Sequence, residues 1–346
     1  MRLLFRTEAS VVIGTGHVTR CLALAQAWQD AGGRAIFAMA EATPAVEQRL
    51  RSEGFEVVRV ALPAGSAADG EETARLANKQ SASWVVVDGY EFGAEYQARL
   101  KGHRLKVLFL DDNGHARHYS ADLVLNQNAH ASESFYSNRE PYTRLLLGLR
   151  YVLLRRQFQL WREWKRLIPP AGRKVLVSMG GSDPGNVTGV LIPALKLLQA
   201  DSLEVVVVAG GSNPHLETLE RTIPSSDGRF RLLKDVDNMA ELMAWADVML
   251  AAAGSICWEI CAMALPSLLV VTAPNQTHAA QRLAALGAAQ ILGSGTERIE
   301  TASGPILQAL LESQEARQSL SSRAHALVDV EGSARVVAVL RGLSEQ

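Results

Sequence analysis

A glycine turn followed by a histidine is the first stretch whose residue types could do chemistry. Ile13-Gly14-Thr15-Gly16-His17 comes shortly after the apolar run Leu3-Leu4-Phe5, so we predict that a strand ends, the chain turns at the glycines and a helix begins. His17 would then lie in the first helical turn, where unpartnered N–H groups carry partial positive charge and Thr15 can cap them. That charge favours the neutral ring, which can accept a proton. A partly buried structural histidine fits the same stretch equally well.

Two further glycine turns follow predicted strands in the second half of the chain. Gly180-Gly181-Ser182-Asp183 comes after the apolar run Val175-Leu176-Val177, and Gly254-Ser255 comes just before a predicted helix. Small residues let backbone N–H groups approach a phosphate, and a helix start favours negative charge. Glu259, one turn into that helix, is placed to accept hydrogen bonds from ribose hydroxyls, although a carboxylate that complements the helix dipole fits as well. Together the two turns predict a nucleoside diphosphate site.

Other nucleotide and metal motifs are absent from the sequence. A P-loop is excluded because no G-x-x-x-x-G-K-[ST] occurs, and the dinucleotide fingerprint fails because Thr19 stands where its third glycine belongs. Cys21, Cys257 and Cys261 have no metal-ligand spacing with a histidine, and each lies in an apolar helical pattern. We therefore expect no cofactor and no metal requirement.

Two polar turns stand at the carboxyl ends of predicted strands, which is where open α/β sheets place ligands. They are Asp88-Gly89-Tyr90 and Asp111-Asp112-Asn113. Taken alone, each is typical of a solvated loop with an Asx turn. His115 and His118 follow the second turn without the spacing of a metal-binding frame, so a solvated loop is the favoured interpretation there too.

The composition indicates a globular protein of two domains. The chain has 346 residues, of which 48% are hydrophobic and 21% charged, and its net charge is −1. This near-neutral balance leaves no electrostatic footprint for nucleic acid or for an anionic membrane. No apolar stretch reaches the ~18 residues of a spanning helix, and the N-terminus does not resemble a signal peptide. We expect a cytoplasmic monomer with a small-molecule ligand.

Short apolar runs alternate with helical periodicity along the chain, which is typical of βαβ units and parallel sheets covered by helices. Pro169-Pro170 interrupts this alternation, and after it the N-terminal order of strand, glycine loop and helix is repeated. We predict an N-terminal domain over residues 1–154, a linker with an amphipathic helix over 155–172, and a C-terminal domain over 173–346.

The same patterns predict the individual elements. The predicted strands cover residues 3–5, 34–39, 55–60, 84–87, 107–110, 123–125, 175–178, 205–208, 230–233, 248–250 and 267–271. The predicted helices after the first cover residues 45–52, 71–80, 94–100, 187–198, 239–246, 258–264, 278–286 and 334–343.

Several of these stretches combine into a pattern that spans nearly the whole chain. They are Gly14-x-Gly16-His17-x-x-Arg20, Asp88-Gly89-Tyr90, Val175-Leu176-Val177-Ser178-Met179-Gly180-Gly181-Ser182-Asp183-Pro184, Ala253-Gly254-Ser255, Trp258-Glu259 and Asn275-Gln276. The combination resembles the UDP-2,4-diacetamido-2,4,6-trideoxy-β-L-altropyranose hydrolases of pseudaminic acid biosynthesis. That family is related to the GT-B glycosyltransferases that make the peptidoglycan lipid intermediate.

The resemblance implies a GT-B-like α/β fold, in which two Rossmann-like parallel-sheet domains face each other across a cleft and the C-terminal one holds most of the nucleotide. It implies that water attacks the anomeric carbon with His17 as the base, and a lone base fits inversion. The implied substrate-binding residues are Gly14, Gly16, Arg20, Tyr90, Asp183, Asn275 and Gln276. The implied nucleotide-binding residues are Gly180, Gly181, Gly254, Ser255 and Glu259.

The sequence departs from the family pattern at two positions. Ile256 stands where the family has threonine, and Gln157 stands where it has glutamate. Losing the threonine hydroxyl removes one possible phosphate donor and leaves the backbone N–H groups. Two other functions fit the same residues: a GT-B glycosyltransferase with a hydroxyl acceptor in place of water, and a non-catalytic nucleotide-sugar-binding protein.

Overall fold

Parallel β-sheets covered by helices form the framework of the protein. A computed structural model describes residues 1–198, 202–223, 228–294 and 296–344. One unit comprises Met1–Arg156 together with Val330–Gln346, and the other comprises Gln157–Asp329. Each unit contains one parallel sheet among its described residues, so the predicted pair of Rossmann-like domains is confirmed.

The strands of the first unit all pair in parallel. They are β1 Arg2–Thr7, β2 Arg34–Met39, β3 Glu56–Arg59, β4 Trp84–Asp88, β5 Val107–Leu110, β6 Leu123–Asn126 and β7 Arg144–Leu147. Their order across the sheet is β3-β2-β1-β4-β5-β6-β7. The apolar run of β4 is buried along its whole length, since it pairs with β1 on one side and β5 on the other.

Helices cover both faces of this sheet. They are α1 Gly16–Asp30, α2 Pro44–Ser52, α3 Ala67–Lys79 and α4 Ala94–Gly102. Leu3 and Phe5 pack in a core with α1, whereas Leu4, which points to the other face, packs in a core with α3 and α4. Helices α1 and α4 therefore leave the neighbouring strands β1 and β4 toward opposite faces.

The second unit repeats this plan. Its strands are β8 Lys174–Ser178, β9 Glu204–Ala209, β10 Phe230–Lys234, β11 Val248–Ala252, β12 Ser267–Val271 and β13 Gln290–Ser294, in the order β10-β9-β8-β11-β12-β13. Its helices are α5 Val187–Lys196, α6 Leu216–Thr222, α7 Met239–Trp245, α8 Ile256–Ala262, α9 Thr277–Ala285, α10 Thr296–Glu312 and α11 Gln314–His325. Strands β7 and β13 and helices α6, α10 and α11 are additions to the elements expected from sequence patterns.

The last helix, α12 Gly332–Ser344, lies in the first unit, although the sequence pattern assigned the whole of 173–346 to the C-terminal domain. Val336, Val337 and Leu340 of this helix join the core that α1 forms on the sheet. The Trp84 indole N–H donates to the Leu340 carbonyl at 3.2 Å. A helix that completes the core of a distant segment cannot be assigned to a domain from its position in the chain.

The predicted amphipathic helix of the linker is wrong. A 3₁₀ helix covers Arg156–Trp161, and the chain then runs without regular structure to β8. Leu160 and Leu167 are each 88% exposed, so this segment has no continuous apolar face to bury. Gln157 has a local role: its side-chain oxygen accepts from the Ala240 N–H at 2.9 Å, near the start of α7.

Candidate active site

The first candidate site lies where β1 and β4 end side by side. The chain leaves these two adjacent parallel strands toward opposite faces of the sheet, which makes their carboxyl ends a topological switch point, the usual ligand position in open α/β sheets. Helix α1 begins at Gly16 after the loop that follows β1. Gly14, with a φ of +81°, makes the turn into it, and its N–H donates to the Ser10 carbonyl.

His17 is held by a buried carboxylate. Its Nδ1 atom lies 2.7 Å from Asp88 Oδ1, at the end of β4, and Asp88 has no solvent exposure. Because the Asp88 carboxylate can only accept, Nδ1 carries the proton and donates it. The Nε2 atom is then the acceptor, and it makes no hydrogen bond to the described part of the chain. The arrangement is that of a general base oriented by a carboxylate.

Arg20, one turn further along α1, clamps two carboxylates. Its Nε and Nη2 atoms each donate to Asp88 at 2.7 Å, and its Nη1 atom donates to Asp112 at 2.6 Å. Burial alone raises the pKa of Asp88, but Arg20 and His17 more than offset it, so its pKa lies below the ordinary value. The pKa of Asp112 is lowered in the same way, chiefly by Arg20 against burial. Both carboxylates are therefore ionised at neutral pH.

Tyr90 forms the exposed side of this cluster. Its ring meets the His17 ring edge to face, with 5.1 Å between centroids, and its hydroxyl donates to Asp112 at 3.0 Å. The side chain is 39% exposed, whereas His17 is 9% exposed. Tyr90 therefore offers an aromatic surface beside the candidate base.

A second Asp–His pair, Asp111 with His115, adjoins Tyr90. His115 Nδ1 lies 3.2 Å from the Asp111 carboxylate, and its Nε2 lies 3.2 Å from the Phe92 carbonyl. Both neighbours are acceptors, but only Nε2 is within hydrogen-bonding geometry, and Nδ1 meets Asp111 at an ion-pair distance. Burial alone lowers the pKa of His115, but Asp111 and Phe92 more than offset it and the pKa is raised.

The polar turns differ from their sequence interpretation. The Asx turn is confirmed, since Asp111 accepts from the N–H groups of Asn113 and Gly114 at 2.7 Å each. A solvated loop is wrong at both turns, because Asp88 and Asp111 are buried and bind neighbouring side chains. Thr15 makes no side-chain hydrogen bond as the N-cap of α1, so its predicted capping role is also wrong.

In the second unit, the glycine loops follow β8 and β11, which are also adjacent strands. Gly180 has a φ of +89°, and Gly181 packs so closely on Gly210 that an added Cβ at Gly210 would lie 2.4 Å from the Gly181 Cα. Asp183 is buried, and its two oxygens accept from the N–H groups of Val187 and Thr188 at 2.8 and 2.9 Å. It therefore caps α5, whereas its substrate-binding role stays a prediction.

The second glycine turn meets a side chain from the 3₁₀ turn that follows β12. A Cβ added to Gly254 would lie 3.8 Å from the Gln276 amide nitrogen, and Gln276 is fixed because its oxygen accepts from the Thr272 N–H at 2.9 Å. Ser255 is the N-cap of α8, and Glu259 is buried in the first turn. Asn275 lies in the 3₁₀ turn Pro274–Gln276 after β12. The predicted nucleotide-binding residues thus follow β8 and β11, and the predicted substrate-binding residues Asn275 and Gln276 follow β12 at the same edge of the sheet.

Neither a metal-ligating cluster nor a membrane-spanning helix occurs among the described residues. They contain no group of three or more His, Cys, Asp or Glu side chains arranged to hold a metal ion. In the same residues, no helix is both long enough and apolar enough to span a membrane.

The sequence is similar to proteins of polysaccharide and nucleotide-sugar metabolism. Residues 175–335 match the glycosyltransferase family 28 C-terminal domain. The chain is 30% identical to the spore coat polysaccharide biosynthesis protein SpsG of Bacillus subtilis over 241 residues, which cover 69% of this chain and 70% of that protein. It is 25% identical to the UDP-2,4-diacetamido-2,4,6-trideoxy-β-L-altropyranose hydrolase of Campylobacter jejuni over 294 residues, 83% of this chain and 97% of that protein.

A third relative is longer than this chain. The uncharacterized protein MJ1062 of Methanocaldococcus jannaschii is 23% identical over 278 residues, which cover 78% of this chain but 55% of that protein.

Solved structures share the fold over nearly the full chain. MurG of Acinetobacter baumannii matches with a TM-score of 0.63 and 15% identity over 99% of both chains. The S. aureus MnaA–UDP structure matches with a TM-score of 0.67 and 11% identity, over 99% of this chain and 96% of that one. The predicted GT-B-like fold class is confirmed.

Proposed function

Since this chain belongs to the family of SpsG and of the UDP-2,4-diacetamido-2,4,6-trideoxy-β-L-altropyranose hydrolase, we propose that it is an enzyme that hydrolyses a UDP-sugar. The observation that carries the proposal is the His17 ring, which Asp88 orients so that Nε2 is the proton acceptor. For the sugar we propose the diacetamido-trideoxy-altropyranose in the Campylobacter relative's name.

In the proposed reaction, His17 activates water. The water oxygen attacks the anomeric carbon, its proton passes to Nε2, and the bond from that carbon to UDP breaks with its electron pair on the diphosphate. Asp88 stabilises the imidazolium that forms, because its charge lies 2.7 Å from Nδ1. Because the activated water attacks on the face opposite the leaving group in a single displacement, the anomeric configuration is inverted.

The second unit supplies the nucleotide site of the proposal. Backbone N–H groups at Gly254 and Ser255 face the phosphates at the start of α8, and the Gln276 amide beside Gly254 adds a donor. Stabilised in this way, UDP leaves without a strong general acid. Gly180 and Gly181 form a second phosphate-accommodating turn in this unit, and Glu259 accepts from the ribose hydroxyls.

The other predicted residues act on the sugar. Tyr90 presents its exposed ring beside His17, and Arg20 keeps Asp88 in place. Gly14 and Gly16 shape the turn that brings His17 to the end of β1. Asn275 lies next to Gln276 and completes the same edge of the second sheet.

The test of the proposal is UDP release from candidate UDP-sugars without any acceptor. We expect steady turnover that depends on the sugar. In parallel, UDP at about 100 times its Kd should add ~2.7 kcal/mol to the free energy of unfolding, whereas NAD should add nothing. Release of UDP only when a hydroxyl acceptor is added would identify a glycosyltransferase instead, and UDP protection without any turnover would identify a binding protein.

Glu259→Gln tests the ribose contact. The glutamine keeps the size and one acceptor oxygen but loses the charge, so we expect UDP binding to weaken by about 1–2 kcal/mol, the range of a charge-assisted hydrogen bond. Calorimetric titration with UDP measures the effect. An unchanged UDP affinity would leave Glu259 as a partner of the α8 dipole and nothing more.

A further inference from the structure

Asp112 is the junction of the polar cluster in the first unit. Its carboxylate accepts from Arg20 Nη1 at 2.6 Å, from Asn128 Nδ2 at 2.7 Å and from the Tyr90 hydroxyl at 3.0 Å. Its backbone carbonyl accepts from Asn126 Nδ2 at 2.9 Å and lies 3.1 Å from His130 Nε2. These partners come from α1, from the loop after β4, and from β6 and the loop after it. Few positions of Asp112 allow its carboxylate and its backbone carbonyl to make all of these contacts.

A continuous chain of contacts leads from Asp112 to the candidate base. Asp112 holds Nη1 of Arg20, the other two donors of Arg20 hold both oxygens of Asp88, and Asp88 holds Nδ1 of His17. Arg20 is almost completely buried, so water does not substitute for a lost partner. Moving Asp112 would therefore move the guanidinium, and with it the carboxylate that orients His17.

The charges of this cluster do not cancel. Asp88 and Asp112 each carry a negative charge and Arg20 carries one positive charge, so the three groups sum to one negative charge while His17 is neutral. The nearby Asp111–His115 pair is neutral in total, and Tyr90, His130 and the Cys21 thiol, which donates to Asp88, contribute no net charge in their neutral forms. This net negative charge lies beside the ring of the candidate base, where it stabilises the positive charge that develops on the ring as it takes a proton from water.

We propose that Asp112 is a positioning residue for His17: it holds Arg20 against Asp88 and supplies the negative charge that protonation of His17 balances. The inference rests on the proposed function for the role of His17 as the base. It assigns to the Asp111-Asp112 turn a role in the reaction that involves no contact with the reacting atoms.

Asp112→Asn keeps the shape of the side chain and removes its charge, and Asp112→Ala also removes the acceptor for Arg20. We expect kcat to fall roughly 10- to 100-fold in Asp112→Asn and further in Asp112→Ala, as for groups coupled in one network or displaced near the reacting centre. UDP affinity should stay unchanged in both variants.

Asp122→Asn is the matched control. Asp122 lies in the same unit and is also ion-paired, with Lys101 at 2.7 Å, but it precedes β6 and so lies at the opposite edge of the sheet from Asp112. We expect its kcat to match the wild type. An equal loss of kcat in Asp122→Asn and Asp112→Asn would overturn the proposal, because both losses would then result from lower stability of the unit.

A double-mutant cycle and a spectroscopic signal separate positioning from other roles. In a His17→Asn background, Asp112→Asn should cause almost no further loss, since Asp112 acts through His17. In the proton NMR spectrum, the His17 Nδ1–H signal should move and exchange faster with solvent in Asp112→Ala than in the wild type. An unaltered signal, or an equal loss of kcat in both backgrounds, contradicts the proposal. If the wild type turns over no UDP-sugar, the proposed function fails, and the NMR signal alone decides whether Asp112 positions His17.

Discussion

His17→Asn is expected to lower the turnover of a UDP-sugar by roughly 10²–10⁴-fold, the usual contribution of a general base. Asparagine approximates the size and polarity of the ring but cannot take a proton from water. UDP affinity should stay near that of the wild type, because the proposed nucleotide residues belong to the other unit. Steady-state kinetics with calorimetric UDP binding measures both.

Labelled water provides an independent check of the same step. The oxygen isotope should appear in the sugar product and be absent from UDP, because attack is at carbon. Label in the phosphate of UDP would mean attack at phosphorus. A fully active His17→Asn protein would mean that the histidine is structural, as its burial alone allows.

Asp88→Asn is expected to reduce kcat by up to about 10⁴-fold, as loss of the orienting carboxylate does in catalytic triads. The asparagine amide can donate to Nδ1, which would place the ring proton on Nε2 and abolish its role as a base. The change also replaces one of the two acceptor oxygens that face Arg20, so one hydrogen bond of a buried donor is lost, which costs about 1–3 kcal/mol of stability while Asp112 still balances the Arg20 charge. Kinetics and thermal unfolding together distinguish the two effects.

Asp69→Asn is the control for that stability loss. Asp69 is fully buried and binds Arg6 through both oxygens, at 2.9 and 3.1 Å, in the same unit as Asp88. Its replacement should destabilise the protein to a similar degree while the folded fraction keeps its kcat. A similar fall of kcat in both variants would show that Asp88 has a structural role only.

The local sequence determined most of the regular elements. Strand β12 was predicted with its observed bounds, and β4 was predicted with one residue fewer. A strand that is buried on both faces forms a short continuous apolar run, and this run can be identified in the sequence without knowing which strands pair with it. The glycines at 14 and 180 have the positive φ that a tight turn requires, and this preference is a property of the residue itself. The two-domain α/β class followed from the repetition of these local signals.

The candidate site could be predicted only in part. His17 was found because a histidine at the start of a helix after a glycine turn is a local pattern. Asp88 and Asp112, taken alone, were indistinguishable from solvated turn residues, since no short-range signal reveals that β4 lies beside β1 and β5 beside β4. The interpretation of these turns as solvated loops was wrong, because the burial of their aspartates depends on which strands are neighbours in the sheet.

Tertiary structure alone decided the partners of the charged groups and the place of α12. Arg20 clamps Asp88 and Asp112, from 68 and 92 residues away, because the order β1-β4-β5 brings their turns together at one edge of the sheet. Helix α12 packs on α1 because its apolar face covers the open side of that core. Charged side chains that are buried together must form ion pairs or hydrogen bonds with one another. The residues that lie between them in the sequence do not indicate which side chains will be partners.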